Sequence, residues 1–195
     1  MLRAICLIVL TAFTVQAQDR SNEQLKQQAS RFKNSKRFAV SYDKFKDETW
    51  VRTGPFAISG TGRYMAGGGM IFLWASFRFS GQSIKQSIDT FSFYLEHNGK
   101  DWLFLTTKEM YLLIDSHREV LPAEQKGNVG RGGFGSLGPV NEILLTTMSP
   151  QLFESLATGK SVELRAGSYE TKLKEEHQQA FRDLLSLARG EPKKP

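Results

Sequence analysis

The sequence predicts a mainly β fold of the β-sandwich type with two or three short helices, with an α+β arrangement as the alternative. Three observations predict it. From Phe38 onward, short runs rich in aromatic and β-branched residues recur between turn residues. In "DTFSFYLEH", Phe91, Phe93 and Leu95 alternate with Ser92, Tyr94 and Glu96, the period of a strand with one buried face. Two stretches near the C-terminus instead carry helical periodicity with a cap at each end, so helices close a fold made chiefly of strands.

The chain opens on "MLRAICLIVLTAFTVQAQDR": one basic residue, Arg3, an apolar stretch from Ala4 to Phe13, then small and polar residues to Ala17. This is the anatomy of a secretory signal peptide, with cleavage expected before Gln18. The apolar stretch is shorter than the roughly 20 residues a permanent span needs, and no later segment approaches that length. The expectation is an exported protein, periplasmic or secreted, with no transmembrane segment in the mature chain. The only cysteine, Cys6, leaves with the signal, which excludes a disulfide framework, a cysteine nucleophile and thiolate metal ligation. The 26 basic and 20 acidic residues give a net charge of +6, a mild excess that suits an anionic envelope polymer or a lipid surface as partner.

Residues 18–37 read as a polar, basic leader. Ser21 and Gln24 have capping-box spacing, and Leu25, Ala29 and Phe32 share a helical face, so a short helix is expected there. It runs into a basic arm of Arg31, Lys33, Lys36 and Arg37, with no acidic residue between Glu23 and Asp43. Phe32 and Phe38, interleaved with these cations, are candidates to insert or stack at an anionic surface.

Residues 38–195 read as one β-rich domain ending in an amphipathic helix. The strand runs are "FAVSYD", "ETWVRTGPFAIS", "MIFLWASFRF", "DTFSFYLEH", "DWLFLTT", "MYLLID", "REVL", "VNEILLTTM" and "SVELRAG". "MIFLWASFRF" is apolar on both faces for its first half, as a central covered strand would be. Asn98-Gly99 between two runs predicts a tight type I′ hairpin. In "MSPQLFESLATGKSVEL", Ser149 is placed as N-cap, Pro150 as the first helical residue and Gly159 as the stop. In "KEEHQQAFRDLLSLARG", His177, Phe181, Leu184, Leu185 and Ala188 form one stripe between acidic and basic ends. The stretch from Ser149 to Leu187, helix, then "KSVELRAGSYETKL", then helix, resembles a recurrent C-terminal unit of exported bacterial β-rich domains of unassigned function. The resemblance implies export and carries no catalytic or binding residue with it.

No motif for a particular chemistry survives inspection. "GNVGRGGFGSLGPV" holds G-x-G-x-x-G twice, from Gly130 and from Gly133, but Pro139 and a strand follow where a phosphate-binding helix should begin. No nucleotide and no cofactor is therefore expected. The three histidines, His97, His117 and His177, lack ligand spacing, so no metal is expected and His97 and His177 read as surface or half-buried structural residues. Asp115, Ser116 and His117 are contiguous, which suits a hairpin turn rather than a triad, whose members act from separate elements. Trp50, Trp74 and Trp102 lie in apolar runs, where core packing competes with a sugar-stacking role. Tyr42 and Tyr64, near strand ends, are better placed for exposed aromatic contacts. Two glycine-rich loops each place an arginine near an aromatic, Arg63 with Tyr64 and Arg131 with Phe134, and could line one end of the domain.

The expectation is thus an exported, non-enzymatic binding or structural domain at the cell envelope. Its candidate contacts are Arg31, Lys33, Lys36, Arg37, Arg63, Tyr64, Arg131 and Phe134, and its ligand an anionic polymer, lipid surface or carbohydrate. The alternative is a small secreted hydrolase acting on polysaccharide or ester through carboxylates that meet only in the fold.

Overall fold

The computed structural model describes residues 20–32, 38–58, 69–131 and 137–190, and only the backbone of residues 20, 130, 131, 137 and 138. In chain order the elements are β1 (Arg20–Ser21), α1 (Asn22–Ser30), β2 (Phe38–Asp43), β3 (Glu48–Thr53), β4 (Phe56–Ile58), β5 (Met70–Ser80) and β6 (Ser83–Ile84). There follow β7 (Phe91–Gly99), β8 (Glu109–Ile114), β9 (His117–Pro122), β10 (Glu124–Arg131), β11 (Leu137–Met148), α2 (Pro150–Thr158), β12 (Val162–Ala166), β13 (Tyr169–Lys172) and α3 (Glu175–Arg189). The described chain is mainly β with three helices, as its alternating apolar pattern dictates.

A larger antiparallel sheet runs β10-β11-β7-β5-β3-β2, with β4 beside β5; a smaller one runs β13-β12-β8-β9; β1 and β6 form a ribbon. Only Ala123 separates β9 from β10, so one run of chain leaves the smaller sheet and enters the larger at this corner. Ala123 N–H donates to the Lys108 carbonyl at 2.8 Å, and Thr146 Oγ1 to the Pro122 carbonyl at 2.7 Å, which ties the corner down. Both sheets and all three helices contribute to one apolar core. Within it Phe153 of α2 stacks on Phe91 of β7 at 4.2 Å, and Phe181 of α3 meets Phe93 at 5.8 Å.

The helices follow their caps. Ser21 Oγ accepts from Gln24 N–H while the Gln24 side chain accepts from Ser21 N–H, and α1 buries Leu25 and Ala29, with Phe32 just past its end, in the common core. The leader helix therefore packs with the domain rather than standing apart. Phe32 is buried and its ring lies 5.3 Å from that of Phe38, so the pair packs inward instead of facing an external surface. Ser149 caps α2 with Pro150 first and Gly159 last, and α3 buries the expected stripe before ending at Gly190 with φ of 75°.

The Asn98-Gly99 hairpin does not form. Both residues extend β7, Asn98 opposite Asn141 and Gly99 opposite Val140, with Met70 of β5 across the other side from Asn98. Gly99 is needed for close approach: a Cβ there would stand 2.5 Å from His97 Nε2 and 3.3 Å from the Gly69 Cα. "DWLFLTT" likewise forms no strand but a compact turn segment, because its backbone donors are drawn to a buried carboxylate described below. The tight type I′ turn lies instead at Asp115-Ser116, with φ of 48° and 73°, joining Ile114 to His117. The glycine-rich stretch is in part a strand: β10 continues to Arg131, and Gly127 accepts the Trp102 ring, whose nearest atom lies 2.6 Å from where a Cβ would sit. Pro139 falls where the β10–β11 register shifts between Val129 and Arg131, a place that tolerates a missing donor.

Candidate functional site

Of the sequence-expected contact residues, Arg31 is exposed at the end of α1. Lys33, Lys36, Arg37, Arg63, Tyr64 and Phe134 lie outside the described residues, and Arg131 closes β10 with only its backbone described. The anchors of the two glycine-rich loops do converge. Gly69, where β5 begins, stands beside Gly99, and Gly99 is paired with Val140 of β11.

Between those anchors sits a pair that the sequence left in separate runs. His97 is buried rather than at the surface, and its Nδ1 lies 3.1 Å from the Glu142 carboxylate, which is wholly inaccessible. The two residues stand opposite one another on β7 and β11, so strand pairing alone brings them together. Glu142 also accepts from the backbone N–H groups of Leu103 and Phe104, the second at 2.9 Å. A buried carboxylate is tolerable only when its lone pairs are filled by donors, and here three donors fill them. Glu142 thus fixes the turn at 103–104, while the His97 ring slots between Gly69 and Gly99. The only advance signal was an acidic residue at a core-facing position of an apolar strand.

A concavity of about 940 Å³ lies over the outer face of the smaller sheet. The outward residues of β8 and β12, the start of β9 and the segment 106–109 build it. Tyr111 is part of its lining and stands cross-strand from Arg165 on β12 and Val120 on β9. The Arg118 guanidinium sits 4.9 Å from the Tyr111 ring centroid, and the Tyr111 hydroxyl donates to Glu109. That hydrogen bond, with the nearby Glu109 charge, raises the Tyr111 pKa above its ordinary value. Lys108, Arg118 and Arg165 face Glu109, Glu163 and Glu170 around the lining, three cations against three anions. Arg118 and Arg165 form no ion pair with a carboxylate among the described residues. Gly167, with φ of 58°, lets the wall approach Thr107, whose Oγ1 would be 2.7 Å from a Cβ there. None of this was singled out from the sequence, because the alternation of charge in "SVELRAGSYETK" is also what any solvated strand shows.

A third arrangement occupies the outer face of the larger sheet, where Arg78 and Ser80 are exposed. Of Trp50 and Trp74, expected to divide between core packing and a sugar platform, Trp74 is buried and Trp50 half-buried. They form a ladder with Tyr94: Trp50–Trp74 centroids are 5.7 Å apart, and Trp74 stacks on Tyr94 at 3.5 Å and 4°. The stacked faces of Trp74 and Tyr94 are closed to a sugar. Trp102 packs over Gly127 instead.

Among the described residues no group of three or more His, Cys, Asp or Glu side chains is placed to hold a metal ion. His177 is buried in α3, with Nδ1 accepting from Lys174 N–H at 3.1 Å, and His117 is exposed at the β8–β9 turn. The Asp115 carboxylate accepts from Ser161 N–H at 2.9 Å, which ties that turn to the start of β12. No helix among the described residues is long and apolar enough to cross a membrane. No family model, no curated protein and no solved structure matches this chain.

Proposed function

We propose that the chain is an exported, non-enzymatic binding domain of the cell envelope, with its ligand surface in the concavity over Tyr111. The observation that carries this reading is the charge-balanced lining: three cations and three carboxylates around one aromatic ring, two of the guanidinium groups without an acidic partner. Balanced, planar hydrogen-bonding groups suit a neutral polyhydroxylated chain better than a polyanion or a nucleotide, so carbohydrate is the favoured ligand class. Among the lining residues no hydroxyl, imidazole and carboxylate stand in series, which favours holding a ligand over transforming it.

Export rests on the N-terminal pattern, and cleavage before Gln18 would leave the first structural element, β1 at Arg20–Ser21, intact. Intact-mass measurement should show a mature chain beginning at Gln18; a soluble exported species retaining Met1 would refute the processing. For the site, retention of the protein on a panel of immobilised envelope polysaccharides is measured with Tyr111→Ala and Arg165→Ala beside a control at Lys85→Ala. Loss in both site variants with the control unchanged is expected. Equal retention of all four proteins would sink the assignment of the concavity.

A second reading, hydrolysis of an ester or polysaccharide, has the His97–Glu142 pair in its favour, since a carboxylate on Nδ1 orients an imidazole as a base. Activity abolished in a folded His97→Gln variant would favour it over simple binding.

A further inference from the structure

We propose that Arg52, with Trp50 and Ser76 beside it, forms an oxyanion-binding site on the outer face of the larger sheet, and that its ligand is an acidic polysaccharide. The site is separate from the Tyr111 concavity, which belongs to the other sheet.

Three observations on adjacent strands carry the proposal. The Arg52 guanidinium lies 5.0 Å from the Trp50 ring centroid and 5.8 Å from that of Trp74. Both faces of a guanidinium are weakly hydrated, so stacking on indoles leaves its N–H edge as the part free to bond. No carboxylate pairs with Arg52 among the described residues, whereas Arg78, on the other side of Trp50, is paired with Glu48 at 3.2 Å. Second, the Trp50 Nε1–H is buried and has no hydrogen-bond partner. Third, Ser76 is completely buried, its Oγ also lacks a partner, and it stands directly opposite Arg52 across the β3–β5 ladder.

The half-buried Arg52 guanidinium is the donor that a ligand can reach on this sheet face, and the buried Trp50 indole N–H and Ser76 hydroxyl on the same two strands lack acceptors of their own. Groups buried without partners are costly, and a nearby acceptor relieves that cost. The complement of a guanidinium edge, which can only donate, is an acceptor-only group, a carboxylate or sulfate oxyanion, which takes an arginine bidentately. A polymer chain fits this face better than a bilayer does. Trp74 and Tyr94 are each only 7% exposed and spend their faces on one another, so neither projects to enter lipid. A chain lying across the strands would instead meet Arg52 and then Arg78 in turn.

The test uses the mature full-length protein titrated with polygalacturonate at low salt, read by tryptophan emission and by direct binding. Neutral dextran, inorganic sulfate and phosphatidylglycerol vesicles are run in parallel. Two tryptophans flank Arg52, so polygalacturonate should both bind and change the emission, dextran should leave the emission unchanged, and sulfate should compete at high concentration. Arg52→Gln should weaken binding by at least about tenfold and Trp50→Phe by about threefold, values expected for a charge-assisted and a neutral hydrogen bond. Arg52→Lys, which keeps the charge but not the fork, should fall between, and Tyr111→Ala should bind as wild type. Circular dichroism checks each fold. Should Arg52→Gln not fold, Arg52→Lys and Trp50→Phe decide. Absent binding by wild type, undiminished binding by the folded Arg52 variants, an equal emission change with dextran, or tighter binding to vesicles than to polymer would each overturn the proposal. Tyr111→Ala losing polygalacturonate would instead move the ligand to the concavity.

Discussion

Removing the Glu142 carboxylate should cost more stability than any other single polar change in the described chain. Glu142 is wholly buried and accepts from Leu103 N–H, Phe104 N–H and the His97 ring. Glu142→Ala leaves two backbone donors and an imidazole nitrogen without that acceptor in a site sealed from water. Each orphaned buried donor costs about 1–3 kcal/mol, and partial relaxation of the turn recovers some of it, so a loss of about 3–5 kcal/mol is expected. Glu142→Gln keeps one carbonyl oxygen but turns an amide donor toward the remaining donors, so about 2–3 kcal/mol is expected. His97→Gln leaves both backbone bonds to the carboxylate intact and should cost less than either. Urea unfolding of the four proteins gives these differences from the midpoints at constant slope. Hydrogen exchange at the Leu103 and Phe104 amides should accelerate selectively in the Glu142 variants, because the turn opens before the sheet does. A loss below about 1 kcal/mol in Glu142→Ala, with those amides still protected, would refute the account of this carboxylate as a clamp.

Gly99→Ala should destabilise by about 1–3 kcal/mol, since the new methyl would stand 2.5 Å from His97 Nε2 in a closed slot; an unchanged melting temperature would show that the ring gives way freely. Phe153→Ala removes a ring stacked on Phe91 at 4.2 Å and touching Phe181, and should cost about 3–5 kcal/mol in the same urea assay. Burial pushes the Tyr169 hydroxyl up to about 12, with Thr171 opposing the shift. A raised tyrosine contributes stability that is intact below its unfolded pKa near 10 and is lost as pH rises toward the folded value. Stability should therefore fall by on the order of 2 kcal/mol between about pH 10 and 12, and Tyr169→Phe should remove that share of the slope. Parallel alkaline curves for the two proteins would count against it.

What the sequence disclosed, and what it hid, divides along one physical line. Local signals were legible because they need no distant partner. Ser21 with Gln24, Ser149 with Pro150, and the α3 stripe each specify their own backbone within a few residues, and each forms as read. The apolar centre of β5 was legible as a central strand, and β5 does lie between β3 and β7. Glycine was the ambiguous letter. Asn98-Gly99 carries the composition of a hairpin turn, yet Gly99 is there so that the His97 ring and Gly69 can approach, a requirement visible only once β5, β7 and β11 are aligned. "DWLFLTT" has the composition of a strand, but a carboxylate about forty positions later in the chain takes the donors that a ladder would have used. The tryptophans show the same limit: hydrophobicity puts Trp50 and Trp74 in strands, and only register decides that they point outward into a guanidinium ladder.

The Glu142 clamp also bears on the proposed ligand surface, although it belongs to the other sheet. The chain from Leu103 to Lys108 runs from the clamp to the concavity, and Thr106, Thr107 and Lys108 form part of its lining. Thr107 N–H donates to the Phe104 carbonyl at 2.9 Å, so the turn that Glu142 fixes at Phe104 is continued directly into the wall. At the far end the Lys108 carbonyl accepts from Ala123 N–H, where β9 crosses into β10. The wall is therefore held at both ends by groups on or leading into the larger sheet, while its floor, Tyr111 and Arg165, belongs to the smaller one. A surface assembled from two sheets keeps its shape only if their joint is rigid, and a buried carboxylate with all its donors satisfied is a rigid joint. Placing an expensive buried charge at a site remote from the ligand makes physical sense on these terms: it sets the distance between wall and floor that an apolar residue of the same size, unable to accept from Leu103 and Phe104, would leave free to drift.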